Sequence, residues 1–157
     1  MKVIVLYYSP GGTTKRIAEL IAGFLKKEKV EVDIADTGSF EAKKLVNYDG
    51  IIVGSPTYYG TLAASVKELF DQSVAFHGKL DGKVGAAFST SRNLAGGNET
   101  TILSILEAML IHGMVIQGDF KGDHYGPVAV EKVDYRVEQN CQRVTQRFVR
   151  LLKLVLS

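Results

Sequence analysis

The most informative residues of the chain lie in a short loop near its N terminus. After an apolar run at residues 2–8, two glycines and several hydroxyls follow in the order Ser9-Pro10-Gly11-Gly12-Thr13-Thr14. Glycines let backbone N–H groups turn inward, hydroxyls add hydrogen-bond donors, and the N terminus of the following helix contributes partial positive charge. A Ser or Thr N-cap alone would need only one hydroxyl. The loop therefore predicts a site for a phosphate monoester.

Two later loops also have an unusual composition. Residues 55–65 contain no charged side chain, and residues 88–98 contain no acid and a single base, Arg92. The run Pro56-Thr57-Tyr58-Tyr59-Gly60 holds two adjacent aromatics, which indicates stacking on a flat ligand, although one of the two could simply cover the edge of the sheet. We therefore expect a binding site without carboxylates, suited to an anion with a polar, neutral body.

The elements that must position these loops alternate between strands and helices. Hydrophobic periodicity predicts buried strands at residues 2–8, 30–35, 51–54, 83–88 and 114–117. Helices are predicted after the first loop, at 41–46, 62–70 and 99–112, and near the C terminus. This order predicts an α/β fold, a doubly wound parallel sheet of five strands in the order 2-1-3-4-5, in a single domain spanning residues 1–157. Ligands of such sheets bind beyond the carboxyl ends of the strands, where these loops meet.

The spacing of residues in this sequence does not match the motifs of other nucleotide-binding or metal-binding sites. The sequence has neither G-x-x-x-x-G-K-[ST] nor G-x-G-x-x-G, so it is not a P-loop or Rossmann dinucleotide-binding protein. Asp123 and His124 are adjacent on a loop, which is a poor ligand set for a metal, and we expect no metal site.

The amino-acid composition excludes several further classes of protein. The 157 residues carry 19 basic and 17 acidic side chains, a net charge of +2, which is too balanced for a dedicated nucleic-acid-binding protein. The single cysteine, Cys141, cannot form an internal disulfide, so we expect a reduced, cytoplasmic protein. No stretch approaches the ~18 apolar residues of a membrane helix, so we expect no membrane insertion.

These motifs resemble those of a known family. Residues 9–14 are similar to the flavodoxin phosphate loop S/T-x-T-G-x-T, with glycine in place of the middle threonine. Residues 54–60, with the later Phe70-Asp71-Gln72, resemble the G-x-P-T-R-F-G…F-x-D-Q stretch of WrbA-like flavoproteins. Further matches to that group are Phe88-Ser89-Thr90, the run at 96–101, His112-Gly113-Met114 and Tyr125-Gly126. The resemblance covers nearly the whole chain, in order.

The resemblance implies a flavodoxin-like fold that binds FMN and, in the WrbA-like group, NAD(P)H:quinone oxidoreductase activity in homo-oligomers, typically tetramers. It implies that the first loop holds the FMN phosphate, that the loop at 57–59 contacts the isoalloxazine, and that residues 90–97 line its pyrimidine end. The cofactor-binding residues predicted in this way are Ser9, Pro10, Gly11, Gly12, Thr13, Thr14, Pro56, Thr57, Tyr58, Tyr59, Gly60, Ser89, Thr90, Ser91, Arg92, Asn93, Gly97 and His112.

Two of these residues are also candidate catalytic residues. His112 and Tyr59 are expected to donate a proton or a hydrogen bond to the electron acceptor. In the alternative interpretation, His112 only terminates a helix, where the helix dipole favours it. The sequence departs from the WrbA-like pattern because it has no tryptophan and because Tyr58 replaces the arginine of the flavin loop, a charge that Arg92 could restore.

Four functions remain open; two of them are a flavin-binding sensor or scaffold without turnover and the FMN module of a larger redox partnership, and the other two are more specific. The first is an FMN-dependent oxidoreductase that reduces quinones or similar acceptors with two electrons from NAD(P)H. The alternative is a flavodoxin-type electron-transfer protein without NAD(P)H activity, whose partner would be a redox protein. Carrier flavodoxins are strongly acidic, whereas this chain has a net charge of +2, which favours the reductase. We also expect a homo-oligomer, either a dimer or a tetramer.

Overall fold

A parallel sheet with helices packed on both faces forms the protein. The computed structural model describes residues 1–157. The strands are β1 (Lys2–Tyr7), β2 (Glu31–Asp36), β3 (Gly50–Pro56), β4 (Val84–Ser91), β5 (Val115–Ile116) and β6 (Val128–Val130). The helices are α1 (Thr13–Lys27), α2 (Ala64–Gln72), α3 (Asn98–Ile111) and α4 (Tyr135–Val155), with short 3-10 helices at Ala42–Asn47 and Ser73–Phe76. The order β2-β1-β3-β4-β5, all parallel, confirms the predicted flavodoxin-like topology.

The central strand β1 shows why the sheet needs helices on both faces. Val3 and Val5 point into a core shared with α1 and α4, while Ile4 and Leu6 point into a second core shared with α2 and α3. All four side chains are buried. A strand covered on both faces has to be apolar at every position, which explains the continuous hydrophobic run in the sequence.

The fifth position of the sheet is divided between two short strands. Only Val115–Ile116 pair with the start of β4, and residues 117–127 then leave the sheet. The chain returns as β6, which pairs with Ser89–Ser91 at the other end of β4. The prediction of one strand at 114–117 was therefore too simple. Because β6 is only three residues long, hydrophobic periodicity gives almost no signal for it.

The excursion at 117–127 is attached to the last helix through Asp119. This carboxylate is almost fully buried and accepts hydrogen bonds from Arg143 Nε and from the Lys121 backbone amide. Burial alone would raise the pKa of Asp119, but these bonds and the charge of Arg143 lower it overall. The segment is thus fixed against α4 by an ion pair.

Two other elements differ from the predictions, one in its helix type and one in its length. Residues 42–47 form a 3-10 helix rather than an α-helix. Strand β4 extends to Ser91, three residues beyond its predicted end, so the carboxyl end of the strand is polar. No helix has a stretch long and apolar enough to cross a membrane.

Candidate functional site

A cleft of about 550 Å³ opens beyond the carboxyl ends of β1, β3 and β4. This volume is within the ~300–1,000 Å³ range of small-molecule sites. The residues that line it are Ser9, Pro10, Gly11, Thr13, Thr14, Pro56, Thr57, Tyr58, Thr90, Ser91, Arg92 and Glu131. All but the last are among the cofactor-binding residues predicted from the sequence. The structure thus brings the three predicted loops together.

The loop after β1 presents a group of unpaired backbone donors. The amides of residues 11–14 have no acceptor within the chain, and Gly12 has the positive φ of 87° that turns the chain into α1. Ser9 Oγ accepts a hydrogen bond from the Lys15 amide at 3.0 Å, which leaves its own proton free for a ligand. A Cβ added to Gly11 would meet no atom within 4 Å. The loop therefore presents unpaired donors at a helix N terminus, an arrangement suited to an anion.

Threonine hydroxyls connect the three loops. Thr14 and Thr90 are buried, and their Oγ1 atoms lie 2.9 Å apart. The Thr57 amide donates to the Thr90 carbonyl at 2.8 Å. Thr101 Oγ1, on α3, lies 3.0 Å from Thr57 Oγ1 and also donates to the Gly97 carbonyl at 2.8 Å, so α3 holds Thr57 in place at the wall of the cleft. These threonines thus form a preorganised, neutral hydrogen-bonding part of the cleft wall.

The two adjacent tyrosines have different positions. Tyr58 and Thr61 form a pair of backbone hydrogen bonds, with Tyr59 and Gly60 at the turn in left-handed conformations, φ 49° and 79°. Tyr58 lines the cleft and is 44% exposed. Tyr59 is fully exposed and does not line the cleft, so the structure does not bring this candidate catalytic residue to the site.

Several predicted residues shape the loop after β4 instead of lining the cleft. Ser89 is buried and donates to the Asn98 carbonyl at 2.8 Å. The Asn93 carbonyl accepts from the Ser91 hydroxyl at 2.9 Å. Gly97, with φ 90°, lies against the loop after β3, and its added Cβ would fall 2.7 Å from Gly60 Cα. These residues hold the two loops close together.

Glu131 is the cleft residue that the sequence reasoning missed. It follows β6, with φ 60°, and its amide donates to the Ser91 carbonyl at 2.8 Å. The expectation of a site without carboxylates was therefore wrong. Glu131 is 40 residues downstream of Ser91 in the sequence, and only the pairing of β6 with β4 places it at the cleft.

His112 lies at the opposite end of the sheet from the cleft, so the structure does not place it at the cleft of its own chain. It follows α3, a helix of 14 residues that begins beside the cleft and is about 20 Å long. The Ser73 hydroxyl donates to the Phe70 carbonyl and accepts from His112 Nε2 at 2.7 Å. Burial, and secondly the nearby His77, lower the pKa of His112. It is thus a buried residue that bonds through Nε2 to the Ser73 hydroxyl.

Comparisons with known proteins agree with the fold. The family model described as "Flavodoxin domain" matches residues 4–112. A flavodoxin of Clostridium saccharobutylicum is 32% identical, with 99% of each chain covered. A NAD(P)H dehydrogenase (quinone) of Azorhizobium caulinodans is 34% identical over 84% of this chain and 77% of its own length.

Solved structures show the same architecture. A flavodoxin from the domain Archaea has a TM-score of 0.80 and 26% identity, with 98% of this chain and 99% of that chain covered. A WrbA-like flavodoxin from Agrobacterium tumefaciens has a TM-score of 0.82 at 24% identity, with 98% of each chain covered, and shows the fold alone. On the family match, the relatives and the shared topology, the chain belongs to the flavodoxin family.

Proposed function

We propose that the protein binds FMN in the cleft and works as an NAD(P)H-dependent oxidoreductase that reduces quinones or similar acceptors. The observation that carries the cofactor assignment is the run of four unpaired amides at residues 11–14, beside the free hydroxyl proton of Ser9. An amide cluster at a helix N terminus suits a dianionic phosphate. The hydroxyl-lined wall and Tyr58 suit the polar chain and the flat ring of a flavin.

Bound FMN would supply the redox chemistry of this site, the uptake of a hydride from NAD(P)H and the delivery of electrons to an acceptor. The protein's own residues bind and orient it. The first loop would hold the phosphate, the Thr57 and Thr90 hydroxyls at the cleft wall would offer hydrogen bonds to the ring system, and Tyr58 would cover one side of the cleft. No side chain of the cleft has to act as an acid or base in hydride transfer.

The lack of an acidic surplus supports the reductase over an electron carrier, because the chain has a net charge of +2 and the cleft carries one cation beside one acid. Arg92 lines the cleft without an ion-pair partner, and the only other charged lining residue is Glu131. Flavin reduction adds negative charge, which a nearby cation stabilises. A relative of 34% identity is named NAD(P)H dehydrogenase (quinone), which agrees with this choice.

The second candidate is an electron-transfer protein without NAD(P)H activity. The observation in its favour is the flavodoxin of Clostridium saccharobutylicum, which matches this chain over 99% of both lengths. In this function the exposed Tyr59 would lie at the contact with a redox protein.

An anaerobic absorbance experiment distinguishes the two functions. The FMN-loaded protein is mixed with NADH, then with NADPH, and the flavin bands are followed. Bleaching within seconds, followed by reoxidation with a benzoquinone, supports the reductase. Bands that persist with both nicotinamides but bleach with dithionite support the carrier. If apoprotein fails to bind FMN, the cofactor assignment is wrong.

We further propose that the protein is a cytoplasmic homo-oligomer. An apolar surface surrounds the buried His112, with Val74, Leu110 and Ile111 all exposed. Single exposed apolar residues are ordinary, but a group of this kind is typical of an interface. Sedimentation analysis of the wild type and of Ile111→Lys tests this proposal, since a monomeric wild type would contradict it.

A further inference from the structure

A buried asparagine lies behind the loop that follows β4. Asn98 is the first residue of α3, is 9% exposed and does not line the cleft. Arg92, on the same loop, does line the cleft and is the only cation among the lining residues. Residues 93–97 join the two and connect β4 to α3. The contacts of Asn98 therefore bear on the position of this cation.

The Asn98 side chain is bonded to the end of β4 through one hydroxyl. Asn98 Nδ2 donates to Ser91 Oγ at 3.0 Å, and Ser91 Oγ donates onward to the Asn93 carbonyl at 2.9 Å. Because an amide nitrogen can only donate, the single proton of the serine hydroxyl is directed away from Asn98 and toward Asn93. Arg92 is thus held on both sides, by Ser91 before it and by Asn93 after it.

The loop needs these bonds because its backbone is strained. Ala95 has φ 53°, a left-handed conformation that a residue with a side chain keeps only where its surroundings hold it. The Asn93 carbonyl also accepts from the Gly96 amide at 3.1 Å, and a Cβ added to Gly96 would fall 2.7 Å from this oxygen. Loss of the bond that fixes the Asn93 carbonyl would therefore loosen the whole turn next to Arg92.

The backbone of Asn98 has a separate attachment to the sheet. Ser89 Oγ, buried in β4, donates to the Asn98 carbonyl at 2.8 Å. This bond does not involve the Asn98 side chain, so it survives a substitution there. A change at Asn98 therefore removes the bond to Ser91 and leaves the start of α3 attached to β4.

We propose that Asn98 is a positioning residue of the flavin site, which holds the residues on either side of Arg92, keeps this cation at the cleft and thereby raises the two-electron reduction potential of the bound flavin. This inference rests on the proposed flavin site. Asn98 acts through Arg92, because its own side chain lies outside the cleft. A cation held beside the flavin stabilises the negative charge gained on reduction better than a cation that is free to move into solvent.

A double-mutant cycle, measured by anaerobic potentiometric titration of the FMN-loaded protein, tests the inference. In the wild-type background, Asn98→Ala should weaken binding of the reduced flavin roughly threefold relative to the oxidised flavin, which lowers the two-electron potential by about 14 mV. In the Arg92→Gln background the same substitution should cause no shift, because the cation that Asn98 positions is gone. Asn140→Ala removes another buried asparagine, on α4 and outside the cleft, and should leave the potential unchanged in both backgrounds.

Amide hydrogen exchange, followed by NMR on the apoprotein, gives a measurement that does not depend on the flavin. The Gly96 amide donates to the Asn93 carbonyl, so Asn98→Ala should speed its exchange by roughly tenfold. The Thr101 amide donates to the Gly97 carbonyl in the first turn of α3 and should keep its wild-type rate. Circular dichroism shows whether Asn98→Ala folds. Where it does not, Asn98→Leu takes its place, since leucine keeps the size of the side chain and cannot donate.

The outcomes separate this inference from the proposed function. An equal shift of the potential in both backgrounds, or a similar shift with Asn140→Ala, would mean that Asn98 acts through general stability, and the inference would be wrong. An unchanged potential in Asn98→Ala, or an unchanged exchange rate at Gly96, would also overturn it. If wild-type apoprotein does not bind FMN, the flavin site is wrong and the inference falls with it, while the exchange rates still show whether Asn98 holds the loop.

Discussion

Replacing Gly12 with alanine should weaken FMN binding by perturbing the backbone of the first loop. Gly12 has φ 87° and ψ −22° at the N-cap of α1. An L-residue in a left-handed conformation costs about 1–2 kcal/mol. The added Cβ itself meets no atom within 4 Å, so the strain is conformational and not a clash within the protein. In the free protein the loop can relax, and binding then has to restore the strained conformation. We expect the dissociation constant of FMN to rise roughly five- to thirtyfold, since 1.4 kcal/mol is tenfold.

The chain offers a matched control for this substitution. Gly23 lies within the same helix, and its added Cβ also meets nothing within 4 Å. Gly23→Ala should stabilise the apoprotein by about 0.5–1 kcal/mol, because glycine is unfavourable in a helix interior. It should leave FMN affinity unchanged. Fluorescence titration with FMN and thermal unfolding of both apoproteins give the comparison. Wild-type affinity in Gly12→Ala would refute the argument that this backbone conformation forms the anion site.

Three further predictions concern single side chains. Thr101→Val removes the hydroxyl that holds Thr57 and the Gly97 carbonyl together, so the dissociation constant of FMN should rise about fivefold, the equivalent of ~1 kcal/mol for a neutral hydrogen bond. An unchanged titration would contradict this role. Burial lowers the pKa of His112 in the folded protein, so below about pH 6.5 the unfolded chain binds a proton at this side chain more readily than the folded chain does. The free energy of unfolding therefore falls as the pH falls. His112→Gln should reduce this slope by up to about 1.4 kcal/mol per pH unit in denaturant titrations. Burial raises the pKa of Cys141 to about 12, so a thiol reagent at pH 8 should label it only after denaturant is added, and rapid labelling of folded protein would contradict its burial.

The layered sheet was predictable because its strands are buried on both faces. Runs such as Val3–Leu6 and Ile51–Val53 have no polar position, and amphipathic helices separate them, which leaves few alternatives to a doubly wound sheet. The divided fifth position was not predictable. Val115–Ile116 and Val128–Val130 are too short to show a period, and they form strands only because β4 offers them its free edge.

The candidate site was predictable where its residues are local in sequence. The loop at residues 9–14 contains its own glycines and hydroxyls, so its chemistry is visible before any folding. Glu131 and Tyr59 show the limit of this reasoning. Glu131 reaches the cleft through a strand pairing, and Tyr59 leaves it because a left-handed φ of 49° turns the side chain outward. Neither a distant pairing nor a single backbone angle can be read from composition.

The two charged side chains of the cleft should have opposite effects on the flavin. Arg92 and Glu131 both line it, and the other lining residues are neutral. Because reduction adds negative charge, Arg92→Gln should lower the two-electron reduction potential of the bound flavin, and Glu131→Gln should raise it. A change of about 1 kcal/mol in this interaction corresponds to about 20 mV for a two-electron couple.

An anaerobic potentiometric titration of the FMN-loaded variants measures both shifts. Lys153→Gln removes a cation near the end of α4, away from the cleft, and serves as the matched control, with no shift expected. Opposite shifts of tens of millivolts would mean that Arg92 and Glu131, and not the net charge of +2 on the whole chain, set the reduction potential of the cofactor. If both variants shift the potential in the same direction, or if the control shifts it equally, the cleft charges do not set the redox properties, and the charge argument for a reductase loses its basis.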